Sequence, residues 1–139
     1  KGVWKFEAGT MPTAEVVALS ESINFINDIG KDKITQYEDN LKDYAIETLR
    51  KNNAIQFVGS PKEQGSVFSF NIKNIHSHDV STIFDQDGVA VRGGHHCCQI
   101  LHDKLNLNSS VRVSFGVYNN KDDILVLDNA IKKCQKIFG

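Results

Sequence analysis

Proline is nearly absent from this sequence, two residues in 139, and there are only one methionine, one tryptophan and three cysteines. With hydrophobic residues at 40% and charged residues at 24%, that scarcity excludes collagen-like repeats, mucin-like linkers and a disordered chain. No apolar run reaches the ~18 residues of a membrane span, and Lys1-Gly2-Val3-Trp4-Lys5 lacks the apolar stretch of a secretory signal. Neither a membrane nor a secretory route is therefore expected. Sixteen basic residues stand against seventeen acidic ones with no block of like charges, so an extended surface for nucleic acid is not expected either. Three cysteines, two of them adjacent, are a poor basis for a disulfide framework and fit thiols kept reduced in the cytoplasm. An initiator methionine is also missing, and the chain reads as a processed or excised piece of something longer. Its length suits one domain on a prior of ~100–200 residues.

What is present is periodic. Val16, Leu19, Ile23 and Ile26 recur at helical spacing before Gly30, and Ile34, Tyr37, Leu41, Tyr44, Ala45 and Leu49 form a second stripe ending near Asn52-Asn53. Ile55–Val58 has β propensity and is stopped by Gly59-Ser60-Pro61. After Gly65, the alternation of Phe68, Phe70 and Ile72 predicts a second strand. Ser77 reads as a helix cap, with Asp79 in the first turn and Val80, Ile83 and Phe84 as the apolar face before Asp87-Gly88. Val89-Ala90-Val91 is expected to start a third strand, and residues 92–99 to form an irregular loop. Val111, Val113 and Phe115 share a face of a further strand and leave Arg112 and Ser114 on the other. Asn120 caps a last helix whose stripe is Ile124, Leu127, Ile131, Cys134 and Phe138. The expected architecture is a two-layer α/β domain.

The strongest chemical feature is Arg92-Gly93-Gly94-His95-His96-Cys97-Cys98. It gathers a cation, two imidazoles and two soft nucleophiles, and a neighbouring cation stabilises a thiolate. The plainer reading is a tight, partly buried turn. Zinc is a further alternative, since His76, His78, His95, His96, Cys97 and Cys98 are all acceptable ligands. Adjacent cysteines do not make a Cys-x-x-Cys pair, however, and no metal site is expected. Cys134, on an apolar helical stripe, reads as a buried structural thiol. Arg112 has the planar fork to clamp a carboxylate or phosphate, with a surface ion pair as the ordinary alternative. Phe6-Glu7-Ala8-Gly9-Thr10 offers an amide and a hydroxyl to an anion, without a Walker A or dinucleotide pattern. Trp4 and Phe6 are expected to pack or to meet another domain.

In order along the chain, three anchors resemble the C-terminal part of the class V aminotransferase-like, pyridoxal-phosphate-dependent cysteine desulfurases, in the sulfur-mobilisation and selenocysteine lyase branch. They are Phe6-Glu7-Ala8-Gly9-Thr10, Val89-Ala90-Val91-Arg92-Gly93-Gly94-His95-His96-Cys97, and Val111-Arg112-Val113-Ser114-Phe115 with Tyr118-Asn119. The resemblance implies the small C-terminal domain of a fold type I pyridoxal-phosphate transferase, with a mainly antiparallel or mixed sheet packed by helices. Residues 1–15 would be an interdomain segment and residues 16–139 the domain itself. It further implies that Cys97 takes sulfur from L-cysteine, or selenium from selenocysteine, as a persulfide-type adduct. Arg112 would bind the substrate α-carboxylate, Arg92 would help hold substrate, and His95 and His96 would support the loop. Gly9 and Thr10 would reach the cofactor phosphate of the neighbouring subunit in a homodimeric parent, with a sulfur-acceptor protein, as in iron-sulfur cluster assembly, as the onward partner.

The sequence departs from that family at several positions. Gly93 stands where Thr is common, Cys98 replaces the usual Ala and Ile100 the usual Pro, which together imply a looser loop in which Cys98 could accept sulfur or form a disulfide with its neighbour. Met11 displaces Pro12 from its place after Gly-Thr. The family's Schiff-base lysine, stacking histidine and pyridine-nitrogen aspartate belong to a large domain whose motifs do not occur in these residues. This stretch alone is therefore expected neither to bind the cofactor productively nor to turn over. The competing reading is a non-catalytic α/β interaction module.

Overall fold

The computed structural model describes residues 2–59 and 61–138, which fall into two compact units, Lys1–Ile34 and Thr35–Gly139. The first unit holds a 3-10 turn at Val3–Phe6 and the helix α1, Thr13–Ile29. Pro12 with φ −73° precedes α1, and Gly30 with φ +95° closes it by donating its N–H to the Ile26 carbonyl at 3.0 Å. That left-handed turn is open to glycine because no Cβ meets the carbonyl. The helix follows the stripe read from the sequence, yet it buries none of its residues: Val16, Leu19, Ile23 and Ile26 are all exposed. The helix α2, Lys31–Leu49, starts here and continues into the second unit.

The second unit is built on an antiparallel sheet of four strands in the order β1-β2-β4-β3: β1 Ile55–Val58, β2 Val67–Ile72, β3 Arg92–Gly94 and β4 Ser110–Ser114. Alternation does the sorting. Phe68, Phe70 and Ile72 on β2 and Val111 and Val113 on β4 point into the core, while Ser69, Asn71 and Arg112 lie on the other face. Into the apolar face pack Leu41, Ala45 and Leu49 of α2, Val80 and Phe84 of α3 (Ser77–Gln86), and Ile124, Leu127, Ile131 and Cys134 of α5 (Lys121–Phe138). Asn120 caps α5 as its sequence implies: its Oδ1 accepts the Asp122 N–H at 2.7 Å, and Asp123 reaches back to the Asn120 N–H at 3.0 Å.

Three expectations change. Val89-Ala90-Val91 is not a strand. Val89 donates its N–H to Phe84 as part of the end of α3, and Val89 and Val91 line a cavity of about 410 Å³ with Val113, Ser114 and Phe115 instead of pairing. Pairing to β4 begins at Arg92, so the first three residues of the expected loop are strand β3. A six-residue helix α4, Gln99–Lys104, fills part of the connection that has no readable period. The cap of α3 is His76, whose Nδ1 accepts the His78 N–H at 3.2 Å; Ser77 is inside the helix, buried, and donates to Ser109 Oγ at 2.7 Å.

Candidate active site

The register of β3 against β4 places Arg92 opposite Arg112, Gly93 opposite Val111 and Gly94 opposite Ser110. Directly opposed residues project from the same face, and like charges so placed repel. Neither arginine forms a salt bridge among the described residues. Arg112 is half-buried and Arg92 exposed, so the ordinary alternative of a surface ion pair at Arg112 is not what the fold makes. Two guanidinium groups on adjacent strands, neither paired with a carboxylate among the described residues, have the chemistry to attract an anion.

The chain leaves β3 through a tight turn. Gly94 has φ +125°, and His96 and Cys97 take φ +56° and +60°, a left-handed conformation that costs a non-glycine residue on the order of 1 kcal/mol or more. The Cys98 N–H closes the turn on the His95 carbonyl at 2.9 Å. This geometry throws the Cys97 side chain outward, where it is exposed, and Arg92 Nη2 donates to its Sγ at 3.4 Å. Sulfur and cation thus address the same space.

Beneath the turn lies a polar core that anchors it. His96 Nε2 is 2.9 Å from Ser110 Oγ, and His102 Nε2 approaches the same oxygen at 3.0 Å from α4. Ser110 is 0% exposed and His102 3%. His102 Nδ1 lies 3.2 Å from the Cys98 carbonyl oxygen and 3.8 Å from Cys98 Sγ, and that thiol donates to the His95 carbonyl at 2.9 Å. Burial holds His96 below the ordinary histidine value, reinforced by the positive charge of Arg112 and then by His102 and Arg92. His96 is therefore neutral at pH 7. Its Nδ1 is buried and has no hydrogen-bond partner.

Of the residues singled out by sequence, Arg92, His95, His96, Cys97 and Arg112 come together on β3, the turn and β4. Gly9 and Thr10 belong to the other unit, where both are exposed and Gly9 has φ +80°. Gly93 is closely packed: a Cβ there would overlap Ser81 Oγ and come to 2.9 Å from the Ser77 carbonyl oxygen. Cys134 is fully buried, and burial, with Asp87 nearby, pushes its thiol above the usual range. Two residues escaped sequence reasoning, His102 and Ser110. Ser110 carries a signal, since it is two positions from Arg112 and so shares its face; His102 carries none until α4 is known. Among the described residues no group of three or more His, Cys, Asp or Glu side chains is placed to hold a metal ion. Among the described residues no helix is long and apolar enough to cross a membrane.

The residue profile of the family described as aminotransferase class-V matches residues 1–127. The chain belongs to that family. Within it, similarity runs to cysteine desulfurases. The chain is 42% identical over 137 residues to a probable cysteine desulfurase of Halobacterium salinarum, covering 98% of this chain and 33% of that protein. It is 44% identical over 136 residues to one of Staphylococcus aureus, covering 97% and 33%. Among solved structures, a cysteine desulfurase of Escherichia coli superposes with a TM-score of 0.88 at 28% identity, over 99% of this chain and 34% of that one. The apo enzyme of Thermococcus onnurineus gives 0.83 at 31% identity, over 96% and 33%. The chain thus spans about a third of the length of the relatives it matches, corresponding to a C-terminal portion, and its antiparallel sheet with packed helices is the family's C-terminal domain.

Proposed function

We propose that this chain supplies the sulfur-accepting half of a cysteine desulfurase active site, in a parent protein that converts L-cysteine to L-alanine and leaves the sulfur on Cys97. The observation that carries the reading is the unpaired Arg92–Arg112 pair with Cys97 hydrogen-bonded to one of its members. Arg112, held on a rigid strand, binds the substrate carboxylate through its planar fork. Arg92 bridges from that carboxylate region to the sulfur and keeps Cys97 aimed at it. The thiolate is the attacking form of cysteine. Cys97 Sγ bonds to the substrate sulfur as the carbon–sulfur bond breaks, the carbon takes up a proton, and the products are alanine and a Cys97 persulfide. Selenocysteine presents the same carboxylate with a softer chalcogen and would be accepted in the same geometry. His95 supports the turn through its carbonyl and His96 through its ring.

Pyridoxal phosphate is the cofactor the family implies, and the residues of this chain fit one end of it. Gly9 has nothing within 4 Å of a Cβ built on it, so its backbone is open to an approaching oxyanion, and the Thr10 hydroxyl is beside it. No lysine occurs in residues 92–98. Gly9 and Thr10 would therefore hold the phosphate, from the neighbouring subunit of a homodimer, while the remaining ligands come from the large domain of the parent. When bound, the cofactor supplies the electron sink that weakens the substrate carbon–sulfur bond. Residues 1–15 act as the segment joining the two domains and residues 16–139 as the small domain. A cytoplasmic protein that accepts the sulfur completes the cycle, and the isolated chain does not turn over.

The test uses the complete protein with L-cysteine and compares Cys97→Ala with Cys98→Ala by trapping and mapping the persulfide. Loss of the adduct and of alanine release in Cys97→Ala alone is the expected result. Equal activity in the two variants would overturn the assignment.

A further inference from the structure

The polar core beneath the Cys97 turn contains a question of direction. One hydroxyl, Ser110 Oγ, sits between two imidazole nitrogens, His96 Nε2 and His102 Nε2, at 2.9 and 3.0 Å. A serine hydroxyl has one proton to give. In the arrangement that satisfies all three groups, it donates to one ring and accepts from the other, and the rest of the contacts decide which.

His102 Nδ1 faces the Cys98 carbonyl oxygen at 3.2 Å, an atom that can only accept. His102 therefore carries its proton on Nδ1, and its Nε2 is a lone pair that accepts from Ser110. Ser110, having spent its proton on His102, accepts from His96, whose proton is on Nε2. His96 Nδ1 is then unprotonated, and it is the one buried side-chain nitrogen or oxygen without a partner among the described residues. The reverse direction sets two lone pairs against each other at Cys98 and buries an unpaired N–H on His96. A direction in which both rings donate leaves the buried Ser110 hydroxyl without an acceptor. Each alternative strands a group at a cost of about 1–3 kcal/mol.

We propose that Ser110 relays to His96 the tautomer that the Cys98 carbonyl sets on His102, in a one-way chain, His96 Nε2–H to Ser110 to His102 to the Cys98 carbonyl, and that this chain positions the Cys97 thiol by locking both ends of its turn. The two ends are His96 and Cys98, the residues that flank Cys97. Cys97 is held in the left-handed region with no ring or glycine of its own to favour it, so the lock has to come from its neighbours. Ser110, His96 and His102 are positioning residues, acting on Cys97 through the backbone. The charges around His96, Arg112 from β4 and Arg92 from β3, both favour its neutral form, which the chain requires. The positioning role rests on the reading of Cys97 as the sulfur acceptor. The tautomers do not.

The experiment is nitrogen NMR on the intact protein with 15N-labelled histidine at pH 7.5, which reads the protonated and lone-pair nitrogens of each ring directly. The expected result is His102 protonated on Nδ1 and His96 on Nε2. In Ser110→Ala His96 loses this preference while His102, still facing the Cys98 carbonyl, keeps its proton on Nδ1, and the rate of persulfide formation falls on the order of 10²-fold while cofactor absorbance is unchanged. His96→Gln keeps a donor at the Nε2 position and should leave His102 in the same tautomer. A proton on His102 Nε2 or on His96 Nδ1 in the unsubstituted protein would overturn the proposal without any variant needing to fold, and so would an unchanged His96 tautomer in Ser110→Ala. A persulfide mapped to a residue other than Cys97 would overturn the desulfurase reading and leave the tautomer result standing.

Discussion

Gly93 offers a clean perturbation because its backbone does not require glycine. Its φ is outside the left-handed region, so Gly93→Ala tests only whether there is room for one methyl group. The structure leaves none: the new Cβ overlaps Ser81 Oγ and meets the Ser77 carbonyl oxygen at 2.9 Å, with the carbonyl carbon at 3.4 Å. Ser81 can rotate away, but it then gives up its 2.8 Å bond to that same carbonyl, a loss of about 1 kcal/mol. The Ser77 contact is backbone of α3 and must still yield by a few tenths of an ångström. Overpacking of this kind costs ~1–3 kcal/mol, offset by ~0.4–1 kcal/mol because alanine is less free than glycine in the unfolded chain. The net expectation is a destabilisation of about 1–2 kcal/mol, or a fall in Tm of roughly 3–8 °C for a chain of this size. Urea denaturation of the single variants Gly93→Ala and Ser81→Ala and of the double variant measures both the cost and its origin. Removal of the Ser81 oxygen should relieve at least ~0.5 kcal/mol of the Gly93→Ala penalty as a coupling energy. A neutral or stabilising Gly93→Ala, or a penalty that is the same with and without Ser81, would refute the close approach of β3 to α3.

Two further predictions are independent of the site's chemistry. Asn120→Ala removes the acceptor for the Asp122 N–H and should cost about 1 kcal/mol, seen as a lower urea midpoint with an unchanged slope. His96 gives a pH signature: because it is held below its ordinary value of 6.5, the unfolded chain binds the proton more readily than the folded one. Stability is then complete above 6.5 and declines as pH falls from there through the lowered folded value. Denaturation midpoints measured between pH 7.5 and 5 should show that decline, and His96→Gln should flatten it; identical slopes in the two proteins would count against a buried neutral imidazole.

Most helices and strands were legible because their apolar spacing is dictated by a single buried face. Phe68, Phe70 and Ile72 alternate because β2 is central in the sheet, and Ile124, Leu127, Ile131 and Cys134 repeat because α5 lies along it. Val89-Ala90-Val91 misled for the same reason that the others succeeded. Its valines are half-buried and β-branched, but burial is not pairing, and the hydrogen bonds of β3 begin three residues later. The helix α4 was illegible because its exposed Ile100 and Leu101 make no amphipathic stripe, and its one buried residue is a histidine. At the site, Cys97 and Arg92 were legible as neighbours in sequence. The opposition of Arg92 to Arg112 is a fact of register, twenty positions apart, and no local pattern carries it.

The same register explains why the fold's unfavourable features are gathered in one place. Two like charges opposed across a strand pair, two left-handed non-glycine residues in succession and a buried nitrogen without a partner all fall between residues 92 and 112. Elsewhere in the second unit the pattern is consistent: the core is continuous, α5 is capped, and the partly buried Lys42 finds Asp39 at 3.1 Å. A sequence free to optimise stability would replace Arg92 or Arg112 with a neutral residue and lose nothing in the core, since neither belongs to it. The proposed carboxylate-bearing substrate would account for both cations standing together beside an exposed thiol, since in its presence the repulsion between the arginines would become attraction to a shared partner.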